Sequence, residues 1–443
     1  MALTVVVMLL CAWLGQRLGS EEAGQFDPST SGLTQLWAHD GPRTAFFFGV
    51  NTHGGVISFA TSSGVTAYDP QSGATRWSWS PPPGASVCTA AASGETALVA
   101  YGFRVLSPDE DCSAVVALDL ASGAVLWSRP VPAAQLVYLA AGDGQALVEF
   151  QAESSDTTGG DTTGSDTTLS GLDDYNLATG APGWTNPLGS ESAGSCMPGQ
   201  PFVAGDAISM VDRCADESDF FGGASDVYSF AADTGKQRSD LRLAPRPCAD
   251  GVMVYTGPEY LVAGCTGLFG VGGQSVVFVD PATGSQHSAQ VATDYFTRTV
   301  VYGDTAYLTI EKPVNSTRAD DQAIAAAFDL STGSELWQRA VPGYQVTMIS
   351  ADSAGALAAV YNGATLSLVR YAPSGGTPAV GPGTALSGPS EAELSALARN
   401  GDLDLEVDGD VLLAGGARTS ALDFAAQTSP SVVGLSIGAV SGF

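Results

Sequence analysis

The sequence repeats itself at a spacing of roughly fifty residues, and this repeat constrains the fold more than any other feature. Three segments align without gaps and share the pattern A-x-D-x-x-[ST]-G-x-x-x-W: AYDPQSGATRW at 67–77, ALDLASGAVLW at 117–127 and AFDLSTGSELW at 327–337. Weaker copies lie around Asn176, Ala231 and Asp280, and two worn copies lie around Tyr371 and Asp423. A period of this length indicates a propeller or a solenoid.

Each copy has the pattern of a β-hairpin. Short apolar runs precede and follow the signature, and D-x-x-[ST]-G between them is turn chemistry. An aspartate oxygen there can accept from a backbone amide two residues on, and glycine takes the turn position with positive φ. Further β-like runs upstream give each unit four strands. We therefore predict an all-β fold, an eight-bladed propeller of four-stranded antiparallel blades, with seven blades as the alternative.

The ends of the chain suggest how the ring closes. The segment GLTQLWAH at 32–39 resembles the last strand of a unit, with Trp37 at the tryptophan position, but no first three strands precede it. We predict that it forms the outer strand of the final blade, which removes a free sheet edge. A competing closure uses the apolar run at 431–437 instead.

The first 24 residues are interpreted as a signal or membrane-anchor segment with a short linker. An uncharged apolar run from Ala2 to Gly15 suits the core of an export signal. No basic residue precedes the run and no clear cleavage site follows it, so an anchor whose start lies upstream stays open. Residues 25–443 are predicted to form a single propeller domain, with the polar low-complexity stretch at 154–168 as a flexible insertion.

The cysteines favour disulfides. Without Cys11 in the apolar run, six remain, and an even number in an exported protein is typical of disulfide bonding. Fifteen connectivities are open to six cysteines, and no C-x-x-C supports a zinc site. Pairing of sequence neighbours is the simplest of these, and it would join Cys88 with Cys112, Cys196 with Cys214 and Cys248 with Cys265.

The charge balance restricts the partners. Forty-six acidic residues face 17 basic ones, which gives a net charge of −29. Phosphate backbones and anionic lipid headgroups need clustered Lys and Arg, so we expect no nucleic acid partner. Membrane contact is expected only through the N-terminal segment, if it is not cleaved, and the chain is expected to be a monomer.

The signature resembles that of the PQQ-like β-propeller repeat family over about residues 30 to 440. It is similar to the tryptophan-docking motif of the quinoprotein alcohol dehydrogenases, and the same architecture serves BamB, a non-enzymatic bacterial lipoprotein. The resemblance implies an exported bacterial protein. It also implies that the motif residues are structural, with tryptophans packed between blades and the other residues in turns: Trp77, Trp127, Trp184, Trp337, Asp69, Asp119, Asp280, Asp329, Gly73, Gly123, Gly180, Gly284 and Gly333.

The departures from the enzymes predict a protein without the quinone cofactor and without enzymatic activity. In the quinoprotein enzymes the cofactor lies over a ring of adjacent cysteines, beside a calcium ion and an aspartate base, whereas no two cysteines are adjacent here. The three cofactor carboxylates also need cationic partners. His39, His53 and His287 lie far apart in the sequence, which disfavours a metal cluster or a histidine-based acid–base pair.

The acidic stretch DLDLEVDGD at 402–410 allows a weak calcium interpretation. Asp404, Glu406 and Asp408 match the opening of a calcium loop, but Gly415 stands where a bidentate Glu is required. Acids alternate with Leu and Val at period two, so we favour a half-buried strand with an acidic face.

Three functions follow from the sequence. The first is a non-enzymatic exported scaffold that binds a protein partner in the cell envelope. The second is a module that binds an extracellular small molecule or glycan in the central funnel. The third, least favoured, is a quinoprotein dehydrogenase.

Overall fold

The chain is all-β in a computed structural model, and among the residues that the structure describes there is no helix. Its strands form antiparallel sheets of four or five strands. The predicted all-β class and four-stranded blade unit are thus confirmed. The residues described are 33–40, 47–53, 56–103, 111–134, 136–153, 168–188, 196–197, 201–215, 223–243, 250–256, 261–266, 274–280, 283–291, 295–311, 323–341, 345–361, 365–385, 403–408, 411–416 and 431–436.

The first half of the ring consists of four sheets, which we number in chain order, and the N-terminal strand β1 (Thr34–Asp40) belongs to none of them. Their strands are, for sheet 1, β2 (Phe47–His53), β3 (Val56–Thr61), β4 (Gly64–Tyr68) and β5 (Thr75–Trp79); for sheet 2, β6 (Ala85–Ser93), β7 (Thr96–Phe103), β8 (Asp111–Asp119) and β9 (Val125–Ala134); for sheet 3, β10 (Leu136–Gly142), β11 (Gln145–Glu153), β12 (Thr168–Asn176) and β13 (Pro182–Leu188); and for sheet 4, β14 (Cys196–Met197), β15 (Phe202–Ala204), β16 (Ala207–Ala215), β17 (Gly223–Ala231) and β18 (Gln237–Arg242).

Sheets 5 to 8 follow the same order. Their strands are, for sheet 5, β19 (Asp250–Thr256), β20 (Leu261–Thr266), β21 (Gln274–Val279) and β22 (Gln286–Val291); for sheet 6, β23 (Tyr295–Tyr302), β24 (Thr305–Glu311), β25 (Ile324–Asp329) and β26 (Glu335–Ala340); for sheet 7, β27 (Gln345–Asp352), β28 (Gly355–Tyr361), β29 (Thr365–Tyr371), β30 (Ala379–Val380) and β31 (Thr384–Ala385); and for sheet 8, β32 (Leu403–Asp408), β33 (Val411–Gly416) and β34 (Ser431–Ser436), completed by β1.

The first strands of successive sheets contact one another in a closed circuit. Contacts run from β2 to β6, β10, β15, β19, β23, β27 and β32, and from β32 back to β2. This is the arrangement of a propeller ring. Because many connections between the sheets lie outside the described residues, the blade count of the whole chain stays a prediction.

The N-terminal strand closes the ring as predicted. Strand β1 pairs antiparallel with β34, from Thr34 opposite Ser436 to Asp40 opposite Ser431. Strand β34 in turn pairs with β33, so the run at 431–436 is the third strand of the final sheet and β1 is its fourth. The two closures considered from the sequence therefore describe neighbouring strands of one sheet.

The signature forms the hairpin between the third and fourth strands. In sheet 2, the Asp119 side chain accepts from the Ser122 amide at 2.7 Å, and the Gly123 amide donates to the Asp119 carbonyl oxygen. The Ser122 amide lies three residues after Asp119. In sheet 1, Asp69 accepts from the amide two residues on, as predicted, at 3.2 Å from Gln71, and also from the Ser72 amide at 2.9 Å. Gly123 has a φ of +73°, so it supplies the left-handed conformation that the turn requires.

Apolar clusters fill the spaces between the sheets. Between sheets 2 and 3, for example, Leu98, Val115 and Val148 are fully buried against one another. Alternate residues of each inner strand face the preceding and the following sheet, which is why these strands are apolar on both faces.

One disulfide lies within sheet 2. Cys88 in β6 bonds to Cys112 in β8, so the link joins the first and third strands across β7. Cys196 and Cys214 are directly opposite each other in the register of β14 and β16. Cys265 lies in β20, whereas Cys248 is outside the described residues.

We expect the Cys88–Cys112 bond to stabilise the ring by about 3 kcal/mol, since it closes a loop of 24 residues. The double variant C88S/C112S should show a lower urea midpoint than the wild type, and a slope at least as steep because its unfolded state is less constrained. Wild type in reductant should lose at least as much stability as the double variant does in its absence. Equal midpoints for both proteins without reductant would contradict a stabilising bond.

The predictions for the N-terminal segment, the insertion and the acidic stretch have different outcomes. Residues 1–24 and all but Thr168 of the 154–168 insertion lie outside the described residues, so their interpretation stays a prediction. The acidic stretch contains β32, which has the strand conformation predicted for it. Within the described part of the chain, no helix has the length and apolar character needed to cross a bilayer.

Candidate functional site

The tryptophan of each signature docks on the next sheet around the ring. Its indole N–H donates to a carbonyl oxygen beside the neighbouring hairpin, and the same bond recurs at five junctions. These bonds join Trp37 to Pro70 at 2.7 Å, Trp77 to Leu120 at 2.9 Å, Trp127 to Leu177 at 2.8 Å, Trp184 to Ala232 at 2.9 Å and Trp337 to Pro373 at 3.0 Å.

The signature glycine makes room for the arriving indole. A Cβ atom at Gly123 would lie 2.6 Å from the Trp77 ring, and one at Gly180 would lie 2.6 Å from the Trp127 ring. The glycine is therefore required twice, by its positive φ and by the close approach of the ring. These residues build the junctions between the sheets.

A second donor accompanies the tryptophan, which the sequence reasoning missed. The residue two positions after it donates to the carbonyl oxygen of the signature glycine in the next sheet. These bonds join His39 to Gly73 at 2.6 Å, Arg129 to Gly180 at 3.0 Å, Asn186 to Gly235 at 2.8 Å and Arg339 to Gly375 at 2.9 Å. Different side chains share this role, so only the spacing after the tryptophan could have indicated it.

Two junctions use other side chains in place of tryptophan. Leu241 packs over Gly284, and a Cβ atom at Gly333 would lie 2.8 Å from the Cβ of His287. The gapless alignment puts Ser239 and Ser288 at the tryptophan position, but the contact comes from neighbouring positions on the same strands. Divergence of the repeat has therefore changed the docking residue at these junctions and kept the docking contact.

The two faces of the ring carry connections of different length. Connections between first and second strands lie at one face. In sheets 2, 3, 4, 6 and 7 each of them is two residues long, namely residues 94–95, 143–144, 205–206, 303–304 and 353–354. Connections between second and third strands leave from the opposite face. In sheets 2, 3, 4, 5, 6 and 8 they comprise residues 104–110, 154–167, 216–222, 267–273, 312–323 and 417–430, whereas in sheets 1 and 7 they comprise only residues 62–63 and 362–364. We call these the short-turn face and the long-connection face.

Aromatic side chains mark the described edge of the long-connection face. Phe103 ends β7 there and is 51% exposed. Behind it, the ring of Trp79 from sheet 1 lies 5.9 Å from that of Tyr101 in sheet 2. On the short-turn face, Tyr302 ends β23 and is 47% exposed. Each face therefore presents one large exposed aromatic residue whose position is known.

The short-turn face is acidic, and part of its charge is neutralised within the protein. Asp206 pairs with Arg238 at 2.8 Å, which lowers the pKa of that carboxyl group. Asp352 pairs at 2.9 Å with Arg370, whose side chain is buried. In the signature turns, hydrogen bonds from Ser331 and Thr332 lower the pKa of Asp329.

A metal site would need converging His, Cys, Asp or Glu side chains, and a quinone site would need cationic side chains. In the part of the chain that the structure describes, no three His, Cys, Asp or Glu side chains converge as metal ligands. The arginines with described contacts bind other parts of the chain, as Arg76 binds Asp69 at 2.6 Å and Arg339 binds Gly375. A tricarboxylate cofactor would need cationic partners besides these arginines, whose described contacts are within the protein.

Comparisons with known proteins agree with this architecture. The family model described as outer membrane protein assembly factor BamB matches residues 36–158, 61–213 and 157–352. Among curated protein sequences, none matches this one.

Solved structures of similar fold include enzymes. The quinohemoprotein alcohol dehydrogenase from Comamonas testosteroni is 11% identical with a TM-score of 0.52, covering 92% of this chain and 76% of that one. A europium-containing methanol dehydrogenase is 10% identical with a TM-score of 0.51, covering 91% and 93%. The Dos1 propeller is 10% identical with a TM-score of 0.55, covering 92% and 95%. At these identities the likeness establishes the propeller fold alone.

Proposed function

This chain belongs to the family of the outer membrane protein assembly factor BamB, and we propose that it is a non-enzymatic, exported scaffold that binds a protein partner in the cell envelope. The observation that carries the proposal is the unequal length of the connections on the two faces of the ring. The long-connection face is the proposed binding surface. Binding residues are concentrated on loops held by a rigid framework, whereas two-residue turns offer little surface for recognition.

The repeat residues support this proposal because they are used within the ring. The signature tryptophans dock on the next sheet, and the arginines with described contacts bind carbonyl or carboxylate oxygens of the protein itself. Function on such a fold lies in sites added to the framework and not in the repeat that builds it. The connections are the part of each unit that varies.

Export is part of the proposal, and two observations support it. The Cys88–Cys112 disulfide is typical of proteins in oxidising compartments. The family is also that of an outer membrane assembly factor. We propose no cofactor for the ring itself, and membrane contact of the chain only through its N-terminal segment if that segment is not cleaved.

A photocrosslinking experiment tests the binding face. A photoreactive phenylalanine analogue replaces Phe103 on the long-connection face or, as the matched control, Tyr302 on the short-turn face. The two positions have similar exposure, 51% and 47%, and both are aromatic, so folding should be affected equally. After illumination of producing cells, we expect covalent protein adducts from position 103 and none from position 302.

Each other outcome counts against part of the proposal. Adducts from position 302 alone, or equally from both positions, would mean that the binding face is assigned wrongly. No adduct from either position would contradict the scaffold role. Dye-linked alcohol oxidation by the purified protein after addition of quinone and calcium would replace the scaffold with a dehydrogenase.

A further inference from the structure

The junction between sheets 3 and 4 contains a carboxyl group where the repeat has alanine. Ala67, Ala117 and Ala327 hold the first position of the three strong signatures and are fully buried. Asp174 occupies this position in the copy that ends at Trp184, and only 9% of it is exposed. A carboxyl group is rarely buried without a specific arrangement around it.

The chain around Asp174 is arranged to hold the carboxyl group. The register passes from Asp173 opposite Thr185 to Tyr175 opposite Pro182, so Asp174 faces two residues of β13, Gly183 and Trp184, in the β-bulge that the signature hairpins share. A Cβ atom at Gly183 would collide with Asp174 Oδ2. The residue before the docking tryptophan is leucine in three other sheets, at Leu36, Leu126 and Leu336. Glycine at position 183 instead provides the space that the carboxyl group fills.

Hydrogen bonds connect this carboxyl group to the next sheet. The Ala232 carbonyl oxygen accepts from the Trp184 indole N–H at 2.9 Å and from Gln145 Nε2. Gln145 also donates to Asp174, and so does the backbone N–H of Trp184. The same two residues, Gln145 and Trp184, therefore donate both to the carboxyl group and to the docking contact between sheets 3 and 4.

Two acceptor atoms in this network lack a donor. Asp174 Oδ1 and Gln145 Oε1 are buried, and neither accepts a hydrogen bond from the residues that the structure describes. A proton on the carboxyl group removes the negative charge and turns one of these acceptors into a donor. Burial with an unpaired oxygen destabilises a charged carboxylate more than a neutral carboxyl group, so the protonated form suits this site better.

We propose that the junction between sheets 3 and 4 is proton-sensitive, and that it is more stable when the buried Asp174 is protonated. The proposal does not depend on the scaffold function, since it concerns how firmly two sheets of the ring are joined.

The electrostatic surroundings agree with this proposal. Burial raises the pKa of Asp174 to about 6, against the opposing hydrogen bonds from Gln145 and the Trp184 N–H. No charged side chain is among these causes. Arg238 pairs with Asp206 and not with Asp174. The ionisable side chains that the structure describes in these two sheets, besides Asp174, are Tyr138, Asp143, Glu149, Asp173 and Tyr175 in sheet 3, and Asp206, Asp226, Tyr228, Asp233, Lys236, Arg238 and Asp240 in sheet 4.

The direction of the pH effect follows from linkage. The pKa of Asp174 in the folded chain lies above its ordinary value of 3.8, so folding is favoured when the group is protonated in both states. Its contribution to stability is therefore complete below about pH 4 and declines as the pH rises towards 6. Above that range the loss is constant.

The test compares unfolding of the wild type and the variant Asp174→Asn from pH 4 to pH 8. Asparagine has the shape of the neutral acid and does not titrate, so it should raise the folding constant at pH 8 by up to about a hundredfold and leave it unchanged at pH 4. Asp173→Asn is the matched control, because Asp173 is its neighbour on the opposite face of β12. A gain in stability at pH 8 of the same size in both variants would mean that the effect does not come from the buried site, and would overturn the proposal.

Hydrogen exchange locates the effect. Corrected for the intrinsic pH dependence, protection of residues 231–236 in the wild type should increase from pH 8 to pH 5, and in Asp174→Asn it should not. Parallel pH profiles for the wild type and Asp174→Asn would overturn the proposal. If Asp174→Asn does not fold, Asp174→Ala restores the residue of the repeat, and a pH profile parallel to that of the wild type would overturn the proposal equally.

Discussion

Removal of residues 1–40 is expected to abolish cooperative unfolding of the ring. The deleted segment includes β1, whose entire length pairs with β34. It also includes Trp37, which donates to Pro70 in sheet 1, and Leu33, whose carbonyl oxygen accepts from Thr384 in sheet 7. The strand thus joins three sheets, and its loss leaves β34 with an unpaired edge.

The aromatic contacts of β1 add to this effect. The His39 ring stacks on Tyr68 at 4.5 Å, and Trp37 lies 6.0 Å from the same tyrosine. Loss of a buried tryptophan alone costs about 3–5 kcal/mol. We expect the truncated protein to bind a hydrophobic dye and to unfold over a broad range of urea concentration, measured by fluorescence and circular dichroism.

Two further variants separate ring closure from the loss of sequence. Deletion of residues 1–30 stops short of β1 and should leave the urea transition unchanged. Moving residues 32–40 to a position after Phe443 should restore the transition, because Thr34 lies opposite Ser436 and a hairpin through residues 437–443 can then connect the two strands. A truncated protein that unfolds as the wild type does would contradict closure by β1.

The repeat allowed the hairpins and the closing strand to be predicted because both depend on local chemistry. The Asp, Ser or Thr and Gly of the signature fix a turn within five residues, and Trp37 marks its strand as the last of a unit. The periodicity of the sequence contains this information.

Other features depend on contacts between units and could not be predicted in this way. Arg129 and Asn186 share a role without sharing chemistry, since each simply reaches the carbonyl oxygen of a glycine about fifty residues on. In the sequence, Asp174 is only a position at which the repeat has diverged. Its role follows from its burial and from the space that Gly183 leaves for its carboxyl group. The proposed binding face was not predictable either, because it depends on which connections lie at the same end of the sheets.

Replacement of Trp127 by alanine is expected to destabilise the protein by about 3–5 kcal/mol. The side chain is 6% exposed, fills the junction between sheets 2 and 3, and donates to Leu177 at 2.8 Å. Trp127→Phe should cost less, since it keeps a ring and loses the indole donor, worth about 1–2 kcal/mol. Leu126→Ala is the control, because that neighbour is 43% exposed and should change the urea midpoint little.

A double-mutant cycle with Gly180 tests whether the tryptophan acts through this contact. Gly180→Ala places a Cβ 2.6 Å from the Trp127 ring, at a φ of +64°. In the wild-type background, Gly180→Ala introduces both the clash with the indole and the backbone strain. In the Trp127→Ala background, it introduces only the backbone strain. The free energy lost on Gly180→Ala should therefore be smaller in the Trp127→Ala background. Additive losses would mean that the indole stabilises the ring by some route other than its docking on the neighbouring hairpin.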